Sequence, residues 1–549
     1  MTTAFTRQLG AESGVQLNRL RDKSELPTQT ISDRVFGIPM RTTRGRIDRA
    51  FKVHEGNVKT KLGRAEPVRL NALNEAMVCV VEALSKGAYE AVVSRLVSPA
   101  AKIKWAVCKY TPKTAEAAET IAFTVSDEAP EENFTFAIKH LDCFNDGIKI
   151  AFRAESAAVG GEDQPVSVIT VRVLDKDGAA LHEFTGSLVP GALDDNGNSY
   201  WLPDVVANLS DDVELIANTS APAILPGSAA YGENAAGLAK WATSGVLACF
   251  DEGGTAYTMD DYAAACKRLQ YSPHNFAYIS SGATQAPALF AQLCQLAFQT
   301  NRVLRVDIPG WMTPEQAVTF TEQVNFTSQD EAHLIQLYWA PIKSLDPTGV
   351  NAKGYFGMAT LNIAYACGRN AEVDANGFAA KNYAIAGKDW PISRQGMTQT
   401  YEPDGKELSM LAKAKINPVI FQEYTQGNFC VFYDSLTCAP VTNSLIMLQS
   451  VADMVTHTDE AVTRKAKELL QKPIEVAIKE MNDWFKTYYE GAFTAGWIKP
   501  SAEPEMKGQA AIWFVRPSSA RPHDTIVMDY ASRYDGTARA FHATQAVSK

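Results

Sequence analysis

Val303-Leu304-Arg305-Val306-Asp307, the helical span from Pro314 to Val324, and Leu334-Ile335-Gln336-Leu337-Tyr338 decide the fold. Short apolar runs joined by spans of helical spacing are the pattern of strands buried on both faces of a parallel sheet. The same alternation precedes them: Val246-Leu247-Ala248-Cys249-Phe250, a helix from Met259 to Leu269, Phe276-Ala277-Tyr278-Ile279, and a helix from Ala286 to Phe298. Successive βα units predict a mostly parallel sheet covered by helices.

Upstream, residues 1–34 are polar and show no helical or strand period, so they read as an arm. The unit 35–114 opens with the extended Val35-Phe36-Gly37-Ile38-Pro39-Met40 and the loop Thr43-Arg44-Gly45-Arg46. It continues with Phe51-Lys52-Val53, a helix from Asn71 to Lys86 closed by Gly87, and strands at 91–97 and 103–107. Between 115 and 240, Phe134–Ile138, Ile148–Phe152, Val166–Val173 and His182–Phe184 are separated by Asp/Asn/Gly turns. Such spacing predicts an inserted antiparallel domain. The α/β core then spans 241–370, and a further unit spans 371–531. The latter holds a hairpin around 413–432 and a long amphipathic helix from 459 to 489, which Pro473 should kink or divide. Its last strands, Ala510–Arg516 and Thr525–Tyr530, read as a largely buried pair. Residues 532–549 are extended but too small and polar to build a core, which makes them a second arm that needs a host sheet.

A net charge of −10 argues against a surface built for nucleic acid, although the stretch 34–69 carries ten Lys or Arg against three Asp or Glu. That patch lacks aromatic interleaving and reads as a solvated or subunit-contacting surface. Nine cysteines without CxxC or zinc spacing read as buried reduced thiols. No apolar stretch approaches the ~20 residues of a membrane span, and the N-terminus has no signal-like apolar region.

Chemistry is scarce. The eight histidines form neither HExxH nor HxH, Gly387-Lys388 is not a P-loop, and no GxSxG elbow occurs. No metal or cofactor is expected. Fold logic leaves one catalytic candidate, the strand-end crevice that would gather Asp251 and Glu252, Ser280 and Ser281, and Asp307 for a hydrolase, a cation or a sugar. The same residues equally serve as helix caps and turn formers.

In its order of elements the chain resembles the tail sheath proteins of contractile phage tails and related injection machines. The resemblance lies in Val35-Phe36-Gly37 through Thr43-Arg44-Gly45-Arg46 to Phe51-Lys52-Val53 and Leu62-Gly63. It continues in Tyr338-Trp339-Ala340-Pro341, Gly354-Tyr355-Phe356-Gly357-Met358-Ala359, Ala384-Ile385-Ala386-Gly387 and Ala414-Lys415-Ile416-Asn417-Pro418-Val419. Where many members carry a Trp-Gly-x-Arg-Thr-Leu run, this chain reads Phe429-Cys430-Val431-Phe432-Tyr433-Asp434-Ser435-Leu436-Thr437.

The resemblance implies a non-enzymatic structural subunit of a virion tail, assembled in the host cytoplasm. Its copies would form a helical stack of hexameric rings around a tail tube protein, bounded by baseplate and neck or terminator proteins, with neither nucleic acid nor membrane insertion. It implies outward-facing inserted domains and arms shared between subunits. The arm residues would be Thr30, Ile31, Thr537, Ala538, Arg539 and Phe541, and the accepting strands would carry Ile512, Phe514, Ile526 and Met528. The row Lys465, Lys472, Lys479 and Lys486 would face the tube. A hydrolase using Asp251, Ser280 and Asp307, or a capsid-type shell protein, is the alternative.

Overall fold

The computed structural model describes residues 31–155, 168–194, 196–222, 224, 241–327, 330–542 and 545. Its centre is an eight-stranded sheet in the order Phe51–Val53, Glu90–Arg95, Val35–Met40, Tyr278–Ser280, Val303–Ile308, Ile335–Trp339, Ile416–Tyr424, Gly427–Phe432. The six inner strands are parallel, and each edge is closed by an antiparallel partner. Residues of Val303–Ile308 alternate between two cores. Val303 packs with the helices Glu75–Ser85 and Ala359–Arg369, while Leu304 and Val306 pack with Met259–Gln270, Pro287–Thr300 and Pro314–Val324. Burial on both faces is why these strands are apolar without alternation.

The parallel sheet is therefore present, but its membership differs from the sequence reading. Val246–Phe250 is not one of its strands: only Phe250–Asp251 is extended, and it pairs antiparallel with Lys102–Ile103. Val246 is exposed, and Cys249 turns into the neighbouring β-domain core. The places beside Tyr278–Ser280 are filled instead by Val35–Met40 and Glu90–Arg95 from the start of the chain.

Between the short Lys102–Ile103 and Phe250–Asp251 strands lies a sandwich of two four-stranded antiparallel sheets. One sheet has the order 180–187, 168–175, 148–155, 242–243; the other has 213–217, 136–140, 105–111, 120–126. Phe136 and Ile138 from one sheet meet Ile150, Phe152 and Val171 from the other, and Leu202 and Val206 of the helix Leu202–Leu209 close the core. The strand Trp105–Thr111 belongs here and not with the central sheet, and the sequence reading did not single out Thr120–Ser126 or Val213–Ala217.

The basic stretch has a structural destination. Arg41, Arg44 and Arg46 are buried. Arg44 holds Asp146 at 2.8 Å, while Arg46 bonds Asp48 at 2.7 Å and Asp212 at 3.2 Å. Lys61 bridges Asp142 and Asp212 at 2.9 and 2.8 Å. The acids at 142, 146 and 212 belong to the sandwich, so much of this charge fastens the two units together instead of facing solvent. Arg95, fully buried at the end of Glu90–Arg95, completes the joint. Its guanidinium donates to the carbonyls of Gly45 at 3.0 Å and Cys143 at 2.7 Å and to Asn145 Oδ1 at 2.6 Å.

After the central sheet come two helices, Gln449–Leu469 and Ile474–Thr494. The break holds Gln471 in the left-handed region at φ 67°, followed by Pro473, so the long helix is divided as the proline predicts. All nine cysteines are free, and every one but the half-buried Cys294 is buried.

Replacing Arg95 with Met should strand two buried carbonyls and destabilise the protein by about 3 kcal/mol. Thermal melting measures the loss. Limited proteolysis should then cut first near 98–104 and 244–254, where the sandwich joins the core.

Candidate functional site

The strand-end crevice does not assemble as the hydrolase reading requires. Asp251 is exposed on the short ladder opposite Lys102, and its carboxylate accepts the Gly253 N–H at 3.0 Å. Glu252 joins Arg41 at 3.1 Å and Asn145 at 3.0 Å in the charged joint. Ser280 is fully buried, its hydroxyl 2.6 Å from that of Thr360, and it accepts the Gly282 N–H at 3.0 Å. Ser281 Oγ accepts the N–H of Asp307 at 3.2 Å. These hydroxyls are spent on turns and helix contacts.

Asp307 does have an acidic neighbour, which sequence reasoning missed. Its Oδ1 accepts the N–H groups of Met358 at 2.6 Å and Ala359 at 2.7 Å, so it caps the helix Ala359–Arg369. The preceding Gly357 N–H is taken by Glu75 Oε1 at 2.8 Å. Two carboxyls from distant parts of the chain thus serve three successive N–H groups at one helix start, where the dipole favours negative charge. Burial pushes Asp307 up to about 6 against the pull of those N–H bonds. It pushes Glu75 further, to about 8, with the Asp307 and Asp346 charges adding to the rise and Gly357 and Arg394 opposing it. Both acids line a small cavity of about 40 Å³ with Ala283, Trp311 and Gly357. No signal in the sequence pairs Glu75 with Asp307, because 231 intervening residues separate them (307 − 75 − 1).

The second candidate surface is the C-terminal ribbon. Ala511–Pro517 and Ile526–Ser532 pair antiparallel and form a two-stranded sheet of their own. One face rests on the helix Ile474–Thr494, where Trp513 stacks on Phe485 and Tyr489 at 5.9 and 5.6 Å between centroids. The strands are not largely buried, as their apolar composition had implied: Phe514 is 59% exposed, and of the two strands only Ala511 is buried. Ile512 and Phe514 lie on the face turned from the core, whereas Ile526 and Met528 pack against it. Among the described residues neither strand has a second ladder partner.

Beyond the ribbon, Thr537, Ala538, Arg539 and Phe541 belong to no strand. Thr537 Oγ1 lies 2.9 Å from Ser450 Oγ, and Arg539 grips Asp434 in a bidentate pair at 2.8 and 2.5 Å. Phe541 is 90% exposed. Thr537, Ala538 and Arg539 line a groove of about 980 Å³ together with Tyr383 and Trp390.

At the other terminus, Thr30 lies outside the described residues, and Ile31 opens the short 3₁₀ turn Ile31–Arg34. Asp33 fixes that turn through Lys381 at 3.1 Å and His457 at 2.8 Å. Burial alone would raise the Asp33 pKa, but His457 and Lys381 hold it well below the usual carboxylate range.

The lysine row is divided with its helix. Lys465 sits on Gln449–Leu469 and pairs with Glu468 at 3.0 Å, and Lys472 lies in the break, 2.8 Å from Glu480. Only Lys479 and Lys486 share a helix, and both are exposed. Glu468 and Lys472, four apart in sequence, do not share a helical turn, because the helix ends between them.

The described residues define an α/β protein carrying an inserted β-sandwich, with a crevice whose polar groups cap and brace the fold. No family model matches the chain, and no curated protein matches it significantly in sequence. In structure it is similar to a sheath tail protein from Desulfitobacterium hafniense, with a TM-score of 0.47 and 12% identity over 95% of this chain and 100% of that one. It is also similar to a chain of an anti-feeding prophage baseplate, with a TM-score of 0.39 and 10% identity over 56% of this chain and 78% of that one.

The Glu75 shift has a definite sign. A carboxyl whose folded value, about 8, lies above its ordinary 4.5 favours folding fully at low pH, and that contribution fades as pH rises from 4.5 through 8. Glu75→Gln keeps an oxygen for the Gly357 N–H and should stabilise the protein at pH 7 by about 3 kcal/mol in EDTA-containing buffer, with no gain near pH 4. Thermal melts of both proteins at the two pH values check the prediction.

Proposed function

We propose that this chain is the structural subunit of a contractile tail sheath, polymerising as stacked rings around a tail tube and contracting to drive the tube through a host envelope. The observation that carries this reading is the C-terminal ribbon: two strands supported from one face by a helix, with an outer edge of each strand open among the described residues. A pair of open edges, in a chain whose terminal sequences are too polar to build a core, is the arrangement that strand addition between copies requires. The first residues to be described, Ile31–Arg34, are locked to the body through Asp33, so an arm built from 1–30 would leave from a fixed point.

On this reading the arms of neighbouring copies add strands to the ribbon, each backbone bond contributing about 0.5–1.5 kcal/mol. Repeated over many joints, such bonds keep subunits linked while their bodies shift. Contraction consumes no fuel molecule: the extended sheath is a metastable assembly released into one with more contact. The strand-end hydroxyls and acids serve turns, a helix start and the charged joint, and on this reading play no catalytic part. Lys479 and Lys486, two turns apart on one exposed helix face, meet an acidic tube surface through weak, screened attraction.

Deleting residues 536–549 tests the joint. Among the described residues the deletion removes one ion pair and one hydroxyl contact, worth about 1 kcal/mol together, so melting should barely change. Electron microscopy should nevertheless show sheath assembly abolished; full-length tubes from the truncated protein would refute the arm. Charge reversal at Lys479 and Lys486 should leave sheath assembly intact and weaken co-assembly with the tube at ~0.15 M salt, where screening acts over about 8 Å. Co-sedimentation with purified tube measures that loss.

A further inference from the structure

Asp307 uses one carboxyl oxygen and leaves the other idle. Oδ1 accepts two helix-start N–H groups, whereas Oδ2 is enclosed and has no hydrogen-bond partner among the described residues. The whole residue is 6% exposed. A methyl group on Gly357 would stand 2.5 Å from Oδ2, which sets that oxygen against the Gly357 wall of the cavity. Glu75, 8% exposed, lines the same space with Oε1 committed to the Gly357 N–H. The cavity's volume of about 40 Å³ exceeds what one water needs, roughly 10–15 Å³ on the same measure.

The charge around this space is unbalanced. Arg394 is not among the residues lining it and is already committed, with Nε and Nη2 on Glu82 at 2.8 and 2.5 Å and Nη1 and Nη2 on the carbonyls of Phe356 and Gly357 at 3.1 and 3.0 Å. Two buried carboxyls are left facing one void without a cation of their own. The void also lies at the carboxyl ends of Val303–Ile308 and Ile335–Trp339, where open parallel sheets collect ligands.

We propose that Glu75 and Asp307 form a binding site for one small divalent cation of the Mg²⁺ and Mn²⁺ class. Asp307 Oδ2 and the second oxygen of Glu75 are its protein ligands, and water completes the shell. Oxygen donors without histidine or cysteine select hard cations. No group of three or more His, Cys, Asp or Glu among the described residues can enclose a metal, and two carboxylates with water is how the smaller of these ions are commonly held. Mg²⁺ dehydrates reluctantly and keeps several waters, whereas Ca²⁺ sites draw more of their six to eight oxygens from protein, so two carboxylates favour the smaller ion. A bound ion would tie the start of Glu75–Ser85 to the end of Val303–Ile308; the start of Ala359–Arg369 is already joined to both through Gly357, Met358 and Ala359. The site is independent of how copies assemble.

The test is a Mn²⁺ titration of the full chain followed by electron paramagnetic resonance, with melting curves recorded in EDTA and in MnCl₂. Wild-type protein should bind one Mn²⁺ per chain, and its melting temperature should rise with the ion. Asp307→Asn and Glu75→Gln each retain an oxygen for the helix-start N–H groups, and each should bind Mn²⁺ at least tenfold more weakly while melting cooperatively in EDTA. Equal binding by wild type and variants, or no binding by wild type, overturns the site and leaves the pair as carboxyls that hold a proton. Should Asp307→Asn fail to fold, Glu75→Gln decides alone.

Discussion

Asp453 holds two buried arginines, and the placing of the C-terminal third depends on it. Its carboxylate lies 2.8 Å from Arg369 and 3.3 Å from Arg305, and none of the three side chains is more than 3% exposed. Taking such charges out of water costs several kcal/mol per ion, so the cluster is poor evidence for net stability. It is good evidence for registry. Arg305 lies in the middle of the central sheet, Arg369 ends a covering helix and Asp453 opens Gln449–Leu469, so only one docking of that helix satisfies all three. Asn362 adds a second constraint by accepting from Arg305 at 2.5 Å, Tyr338 at 3.0 Å and Gln449 at 3.0 Å. A helix docked one turn away would bury two guanidinium groups without their carboxylate.

The same logic governs the inserted sandwich. A chain that enters and leaves through two-residue strands has little backbone to hold it. Charge does that work: Arg44, Arg46 and Lys61 reach sandwich acids, and Arg95 reaches its carbonyls. This arrangement resolves an oddity of composition. The acidic chain concentrates cations in 34–69 because their partners, Asp142, Asp146 and Asp212, lie far along the sequence but close in space.

The sequence makes legible what is set by local burial. Val303–Ile308 and Ile335–Trp339 are strands buried on both faces, and an apolar run between helical spans is enough to find them. Pro473 announces the helix break by lacking a donor. Val246–Phe250 misleads because its apolar residues serve two bodies, with Cys249 in the sandwich core and Val246 in solvent. The ribbon misleads in the opposite direction: Trp513 and Phe514 look equally buried in sequence, but alternation places one on a helix and the other outside. Asp307 was visible as a strand-end acid, yet its neighbour Glu75 reads only as a favourable first-turn residue. Pairings set by tertiary approach leave no local period to read.

A two-stranded ribbon is marginal alone in water, and this one is held by aromatic stacking on a single face. That support fixes position without consuming the edges, since stacking acts perpendicular to the ladder and hydrogen bonding acts within it. A strand added at either edge would therefore leave Trp513, Phe485 and Tyr489 as they stand. Among the described residues the side-chain contacts holding the tail are an ion pair at Asp434 and a hydroxyl pair at Ser450. Under the proposed reading, this separation of support from bonding is what lets the ribbon serve as a joint: the body keeps its fold whether or not the edges are filled, and the free energy of linking copies resides almost entirely in ladder bonds that a shift of the bodies need not break.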